Sequence, residues 1–88
     1  MDRQTFLLEL ARDQFPDPVL VTREAGGQLS RHAHAFEARA LVLEGEITLE
    51  VDGRSTSYGP GAIFRLPAHQ AHSERYGPQG VVYLAGRK

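Results

Sequence analysis

All four histidines of this chain fall in two clusters, His32 and His34 within RHAHAFEARALVLEGE and His69 and His72 within PAHQAHSERY. Residues i and i+2 of a strand share a face, so His32 and His34 can aim both imidazoles at one point, as two neighbouring ligands of a metal ion must. A third ligand then has to come from another strand. An HxH pair alone is equally well read as an incidental feature of a solvated strand. The chain has no cysteine, so thiolate chemistry and disulfides are excluded and any metal must use imidazole, carboxylate or water.

The elements that would position these rings can be traced from periodicity and turn residues. Phe6, Leu7, Leu10 and Ala11 recur at helical spacing, with Asp2 or Thr5 as a cap and Pro16 and Pro18 ending the run. One short amphipathic helix is predicted. Turn residues then arrive in quick succession: Gly26-Gly27, Gly45, Asp52-Gly53, Gly59-Pro60-Gly61, Pro67 and Gly77-Pro78. Between them lie β-prone runs, Val19 to Arg23, Ala38 to Leu43, Ala62 to Leu66, His72 to Tyr76 and Val81 to Leu84. In ITLEVDGRSTSY, Ile47, Leu49 and Val51 alternate with polar residues, and Asp52-Gly53 supplies the positive φ angles of a tight hairpin. The prediction is a small all-β barrel or sandwich of roughly seven or eight strands.

The chain of 88 residues has room for one core, so a single domain is expected, with a helix and lead-in over 1–16 and a barrel over 19–86. Its formal net charge is -1, with both signs interspersed. That balance lacks the one-signed field of a nucleic-acid or anionic-membrane binder. MDRQTFLLELARDQF has no continuous apolar core of a signal peptide, and no segment approaches the roughly 20 apolar residues of a membrane span. A cytoplasmic protein is the expectation.

The sequence resembles the cupins, whose first motif reads G-x5-H-x-H-x(3 or 4)-E-x6-G and whose second reads G-x5-P-x-G-x2-H-x3-N. Gly26, His32, His34 and Gly45 match the first in register, and Gly61, Pro67 and His72 match the second. The resemblance implies an antiparallel double-stranded β-helix, a jelly-roll barrel, in which His32, His34 and His72 converge on a divalent metal. Such a nitrogen-rich site suits Zn, Fe, Ni, Co or Cu, and the family adds Mn; Ca and Mg fit poorly.

The departures from the pattern concern carboxylates. The slot of the family's glutamate is occupied by Ala38, and Glu37 stands one residue short. In an unbroken strand that parity turns Glu37 outward beside Arg39, whereas a β-bulge after His34 would bring it inside. Glu74, two residues beyond His72, should share its face, as should Tyr76 in the slot of the family's asparagine. Glu74 then reads as a polar residue at the barrel mouth, a fourth ligand or a base. His69 occupies the second motif's glycine slot in the Pro67 turn, where it faces solvent or the pocket rim. Phe36, Ala38, Ala40 and Val42 continue the inward parity of the histidines and form an apolar wall suited to a small ligand.

Two functions follow. Three histidines leave coordination positions open, which suits an oxygenase or isomerase acting on a small molecule. The alternative is a noncatalytic module that binds a metal or small ligand and acts with a partner protein, and a metal-free barrel is a third reading. A homodimer is expected, because Leu41, Leu43 and the run Val81, Val82, Tyr83, Leu84 need more cover than one short helix gives.

Overall fold

Helix α1 spans Arg3–Arg12 in the computed structural model, which describes residues 1–88. Asp2 is its N-cap, its Oδ1 accepting from the Thr5 backbone N–H at 2.8 Å and so satisfying one donor that has no partner within the helix. Phe6 and Leu10, one turn apart, are the buried face. Gln14 takes a left-handed φ of 63° after the last turn, and the chain folds Phe15 back under the helix before Pro16 and Pro18. Arg39 fixes that corner: its guanidinium donates to Asp13 Oδ2 at 2.6 Å and lies 4.7 Å from the Phe15 ring centre.

Six strands follow: β1 Val19–Arg23, β2 Gln28–His32, β3 Ala38–Val51, β4 Arg54–Tyr58, β5 Ile63–Leu66 and β6 His72–Arg87. The number is lower than the turn residues suggested, because Gly45 and Gly77-Pro78 interrupt ladders without ending strands. The runs around them merge into two long strands, β3 and β6, paired antiparallel along their length. Their register shifts between Val42 and Glu44 and again between Gly45 and Ile47. The second shift loops the segment after Tyr76 out of the ladder. The first switches facing along β3, so Ala40 and Val42 point inward before it and Ile47 and Leu49 after it. Glycine is required here. Gly45 has φ 74° and its absent Cβ would collide with the Gly80 carbonyl, while Gly80 has φ 75° and abuts the Arg23 carbonyl.

Each long strand thereby serves two halves of one sheet. The first half of β3 pairs with β5 and the second half of β6, which in turn carries β1. The second half of β3 pairs with β4 and the first half of β6, which carries β2. The four short strands do not pair with one another, so the architecture is an open jelly-roll sandwich. The Asp52-Gly53 hairpin forms as predicted, with φ 51° and 78° at its tip and Val51 opposite Arg54.

Two cores result. The inner one joins Ala40, Val42, Ile47, Leu49, Phe64, Val81 and Tyr83 from both halves. The outer one seats Phe6, Leu10 and Phe15 on Leu41 and Leu84. Burying Phe6 and Leu10 stabilises the fold by about 1.5–3 kcal/mol each. The helix therefore supplies the cover for Leu41 and Leu84 that was expected of a second copy, and Val81 and Tyr83 face inward. The large apolar residues left exposed on strands are Val19, Leu20 and Leu29.

Candidate metal centre

Strand β2 delivers the first histidine. It pairs with β6 at Leu29 opposite Glu74, shifts register, and then sets His32 opposite His72. His34 follows beyond the end of β2, where its carbonyl accepts the His69 N–H at 2.7 Å. His69 makes that bond from a left-handed φ of 67° with its ring exposed, so it contributes a backbone tether and no ligand. Phe36 stacks on the His34 ring, with centres 4.7 Å apart and planes 16° from parallel.

His32, His34, His72 and Glu74 come together, each offering one ligand atom within 4.8 Å of the others. Glu74 is buried at 7% exposure and His72 at 1%, so the plainer sequence reading of Glu74, a polar residue at an open mouth, is corrected. The residue shares the inward face with His72, as strand parity required, and the neighbouring ladder closes over both. Glu37 stays outside the cluster. Its backbone pairs with Lys88 at 3.0 and 2.9 Å, extending the β3–β6 ladder by one step. The outward parity holds, although Arg39 takes Asp13 as its partner and not Glu37.

The protonation pattern of the rings can be read from their partners. His32 Nδ1 lies 2.7 Å from the Ser30 carbonyl and His72 Nδ1 lies 3.0 Å from the Gln70 carbonyl. A carbonyl oxygen only accepts, so both Nδ1 atoms carry a proton and both rings turn Nε2 inward. These Nε2 atoms converge on one oxygen, Glu74 Oε2, at 3.3 Å from His32 and 3.2 Å from His72. The other oxygen, Oε1, accepts from the Tyr76 hydroxyl at 3.1 Å. Burial and then the Glu74 charge push the Tyr76 hydroxyl well above its ordinary range, keeping it a donor. Burial, then the charges of His32 and His72, lower the His34 pKa and favour its neutral, ligating form.

This donor set fits a transition metal. Ligand atoms about 2.1 Å from an ion stand about 3.0 Å apart at an octahedral edge and about 3.4 Å apart at a tetrahedral one. The separations of Glu74 Oε2 from the His72 and His32 Nε2 atoms, 3.2 and 3.3 Å, fall between these values. Three imidazoles and one carboxylate suit borderline ions such as Zn, Fe, Ni, Co, Cu or Mn.

Beside the cluster lies a cavity of about 110 Å³ whose walls include His34, Glu74, Phe36, Ala38, Ala40 and Phe64. The wall predicted from Phe36, Ala38 and Ala40 is thus in place, while Val42 packs into the inner core. A larger groove of about 550 Å³ near the β3–β4 hairpin contains none of the histidines. Sequence reasoning missed the His69 tether. Its signal was a non-glycine residue in the motif's glycine slot, which had to adopt the same left-handed turn.

Comparison with known proteins agrees with the fold. The cupin domain family matches residues 19–77, and no curated protein sequence matches the chain. Among solved structures, an RmlC-like cupin from Shewanella frigidimarina is similar with TM-score 0.69 and 27% identity, over 80% of this chain and 62% of its own. KdgF from a Halomonas species superposes with TM-score 0.68 and 25% identity, over 82% of this chain and 69% of its own. A Rhizobium leguminosarum protein of unknown function has TM-score 0.70 and 18% identity, over 99% and 94% of the two chains, and carries the fold alone. The chain spans less than two thirds of the Shewanella protein's length. With the family matching residues 19–77, most of the chain's length, this chain belongs to the cupins.

Proposed function

We propose that this chain binds a divalent transition metal through His32, His34, His72 and Glu74 and presents it to a small molecule in the adjoining cavity. One observation carries the reading. Two imidazole Nε2 atoms, fixed in direction by the Ser30 and Gln70 carbonyls, converge on one buried carboxylate oxygen. When these nitrogens carry no proton, three electron-rich atoms in a low-dielectric site repel one another unless a metal cation lies between them. The separations match those of a metal's neighbouring ligands. When bound, the metal supplies Lewis-acid polarisation of a ligand oxygen.

The chain's own residues do the rest. Tyr76 holds Glu74 in place through its hydroxyl, Phe36 orients His34 by stacking, and the alanine wall gives an apolar surface for the ligand. Oxygenation or isomerisation of that ligand is the catalytic reading. The noncatalytic reading, a ligand-binding module working with a partner protein, is favoured by the engagement of Glu74. Its oxygens face Tyr76, His72 and His32, so it is not free to act as a general base. Elemental analysis of protein purified without a histidine tag tests the shared claim: about one transition-metal ion per chain is expected, falling sharply in His32→Ala and His72→Ala. A metal-free wild type that also fails to take up added Zn, Fe, Ni, Co, Cu or Mn would sink it.

A further inference from the structure

The cavity has a charged mouth that the metal ligands do not explain. Val19, Val21 and Arg23 alternate on the inward face of β1, and Tyr83, Ala85 and Arg87 do so on β6, so strand parity brings two arginines to a largely apolar space. No carboxylate pairs with either one. The two stand at opposite ends: Arg23 lies opposite Val81, whereas Arg87 lies opposite Ala38. The Arg87 guanidinium carbon sits 5.7 Å from the centre of the Phe36 ring, the same ring that stacks on His34. Arg87 is therefore the cation beside the metal ligands.

We propose that this cavity takes a short aliphatic monocarboxylate, with Arg87 binding its carboxylate and Phe36, Ala38, Ala40 and Ala85 packing its hydrocarbon. The proposal deepens the reading of a ligand cavity beside the metal and rests on it for the cavity's role as a ligand site. A guanidinium presents two parallel N–H donors that match a carboxylate's two oxygens. A volume of about 110 Å³ equals that of roughly four liquid waters, which limits the ligand to a handful of heavy atoms. Glu74 shares the wall, and its charge disfavours a dianion such as a phosphate monoester.

Butyrate and its neutral isostere butyramide provide the test, titrated into alanine-methyl-labelled protein and followed by NMR, with metal content measured on the same samples. Butyrate is expected to shift the Ala40 and Ala85 methyls and to bind at least tenfold more tightly than butyramide. Arg87→Gln, verified as folded by its amide spectrum, should weaken butyrate at least tenfold and leave butyramide unchanged. Arg23→Gln, at the far end, should have the smaller effect. Equal binding of the two probes, or butyrate affinity that survives Arg87→Gln, overturns the proposal, including the case in which butyrate coordinates the metal alone. The two readings fail separately. Wild type that takes up no added metal yet binds butyrate through Arg87 refutes the metal centre and keeps the carboxylate site, and metal-replete protein that ignores the probe's charge does the reverse.

Discussion

Replacing Glu74 with Gln should move the metal-bound and metal-free proteins in opposite directions. The side chain keeps its size, and its amide oxygen still accepts from the Tyr76 hydroxyl now 3.1 Å from Oε1. Its NH2 then replaces the oxygen that faces His32 and His72 at 3.3 and 3.2 Å, so at a pH of about 8, where imidazoles are neutral, a donor meets ring lone pairs where an acceptor did before. Without metal, one hydrogen bond gained stabilises the fold by about 0.5–1.5 kcal/mol. For a domain of this size that raises the midpoint by roughly 2–12 °C. With metal, an anionic ligand is lost. Disturbing residues that only support a metal ligand already costs about 10–100-fold in affinity, so at least about 100-fold is expected here. Metal at about a thousand times the wild-type Kd stabilises that protein by about 4.1 kcal/mol, whereas the variant, now at about ten times its own Kd, gains about 1.4. Thermal melts in chelator and in saturating Zn would thus show a higher metal-free midpoint and a metal-induced rise cut to about a third. A metal-free midpoint that falls while the metal response stays at wild-type size would refute the lone-pair argument.

Glu37→Gln should leave metal content at the wild-type level by elemental analysis, since Glu37 lies outside the cluster. Gly45→Ala should cost about 3 kcal/mol or more in urea unfolding, because left-handed strain adds to the collision with the Gly80 carbonyl. Asp13, held at about 2 by the Arg12 hydrogen bond and then that of Arg39, has a folded pKa below its unfolded value. Its contribution is therefore complete above about pH 4 and is lost as pH falls toward 2; Asp13→Asn should flatten that part of the stability curve in urea titrations between pH 5 and 2.5. Light scattering at micromolar concentration should give twice 9.7 kDa, with the interface at the exposed Leu20 and Leu29 on the unpaired edges of β1 and β2; the monomer mass would remove the need for a partner there.

Legibility in the sequence followed the range of the interaction. The Asp52-Gly53 hairpin, the helix of Phe6 and Leu10 and the inward parity of Phe36, Ala38 and Ala40 were readable because neighbouring residues decide them. Glu74 was placed on the correct face by the same parity, yet its burial depends on β2 and β3 closing over it, which no local pattern reports. The strand count failed for a related reason. Gly45 and Gly77-Pro78 carry the composition of turns, and only the long pairing of β3 with β6 turns them into bulges. Arg39 was assigned to Glu37 by adjacency, while the partner it finds, Asp13, comes from the helix end folded over the sheet.

The division of the histidine cluster between β2 and β6 has a kinetic consequence. Leu29 pairs with Glu74 and His32 with His72, contacts some forty residues apart in sequence. Such long-range pairing forms slowly, since loop closure precedes any reward from the contacts. Until β6 docks against β2, each half offers only two of the four ligands, and an ion has little reason to prefer a partly folded chain. Binding energy of this kind, absent from the folding transition state, leaves the refolding rate alone and slows unfolding. A metal held here would act as a latch that is set after the sandwich has closed, lengthening the lifetime of the native state without guiding the chain toward it.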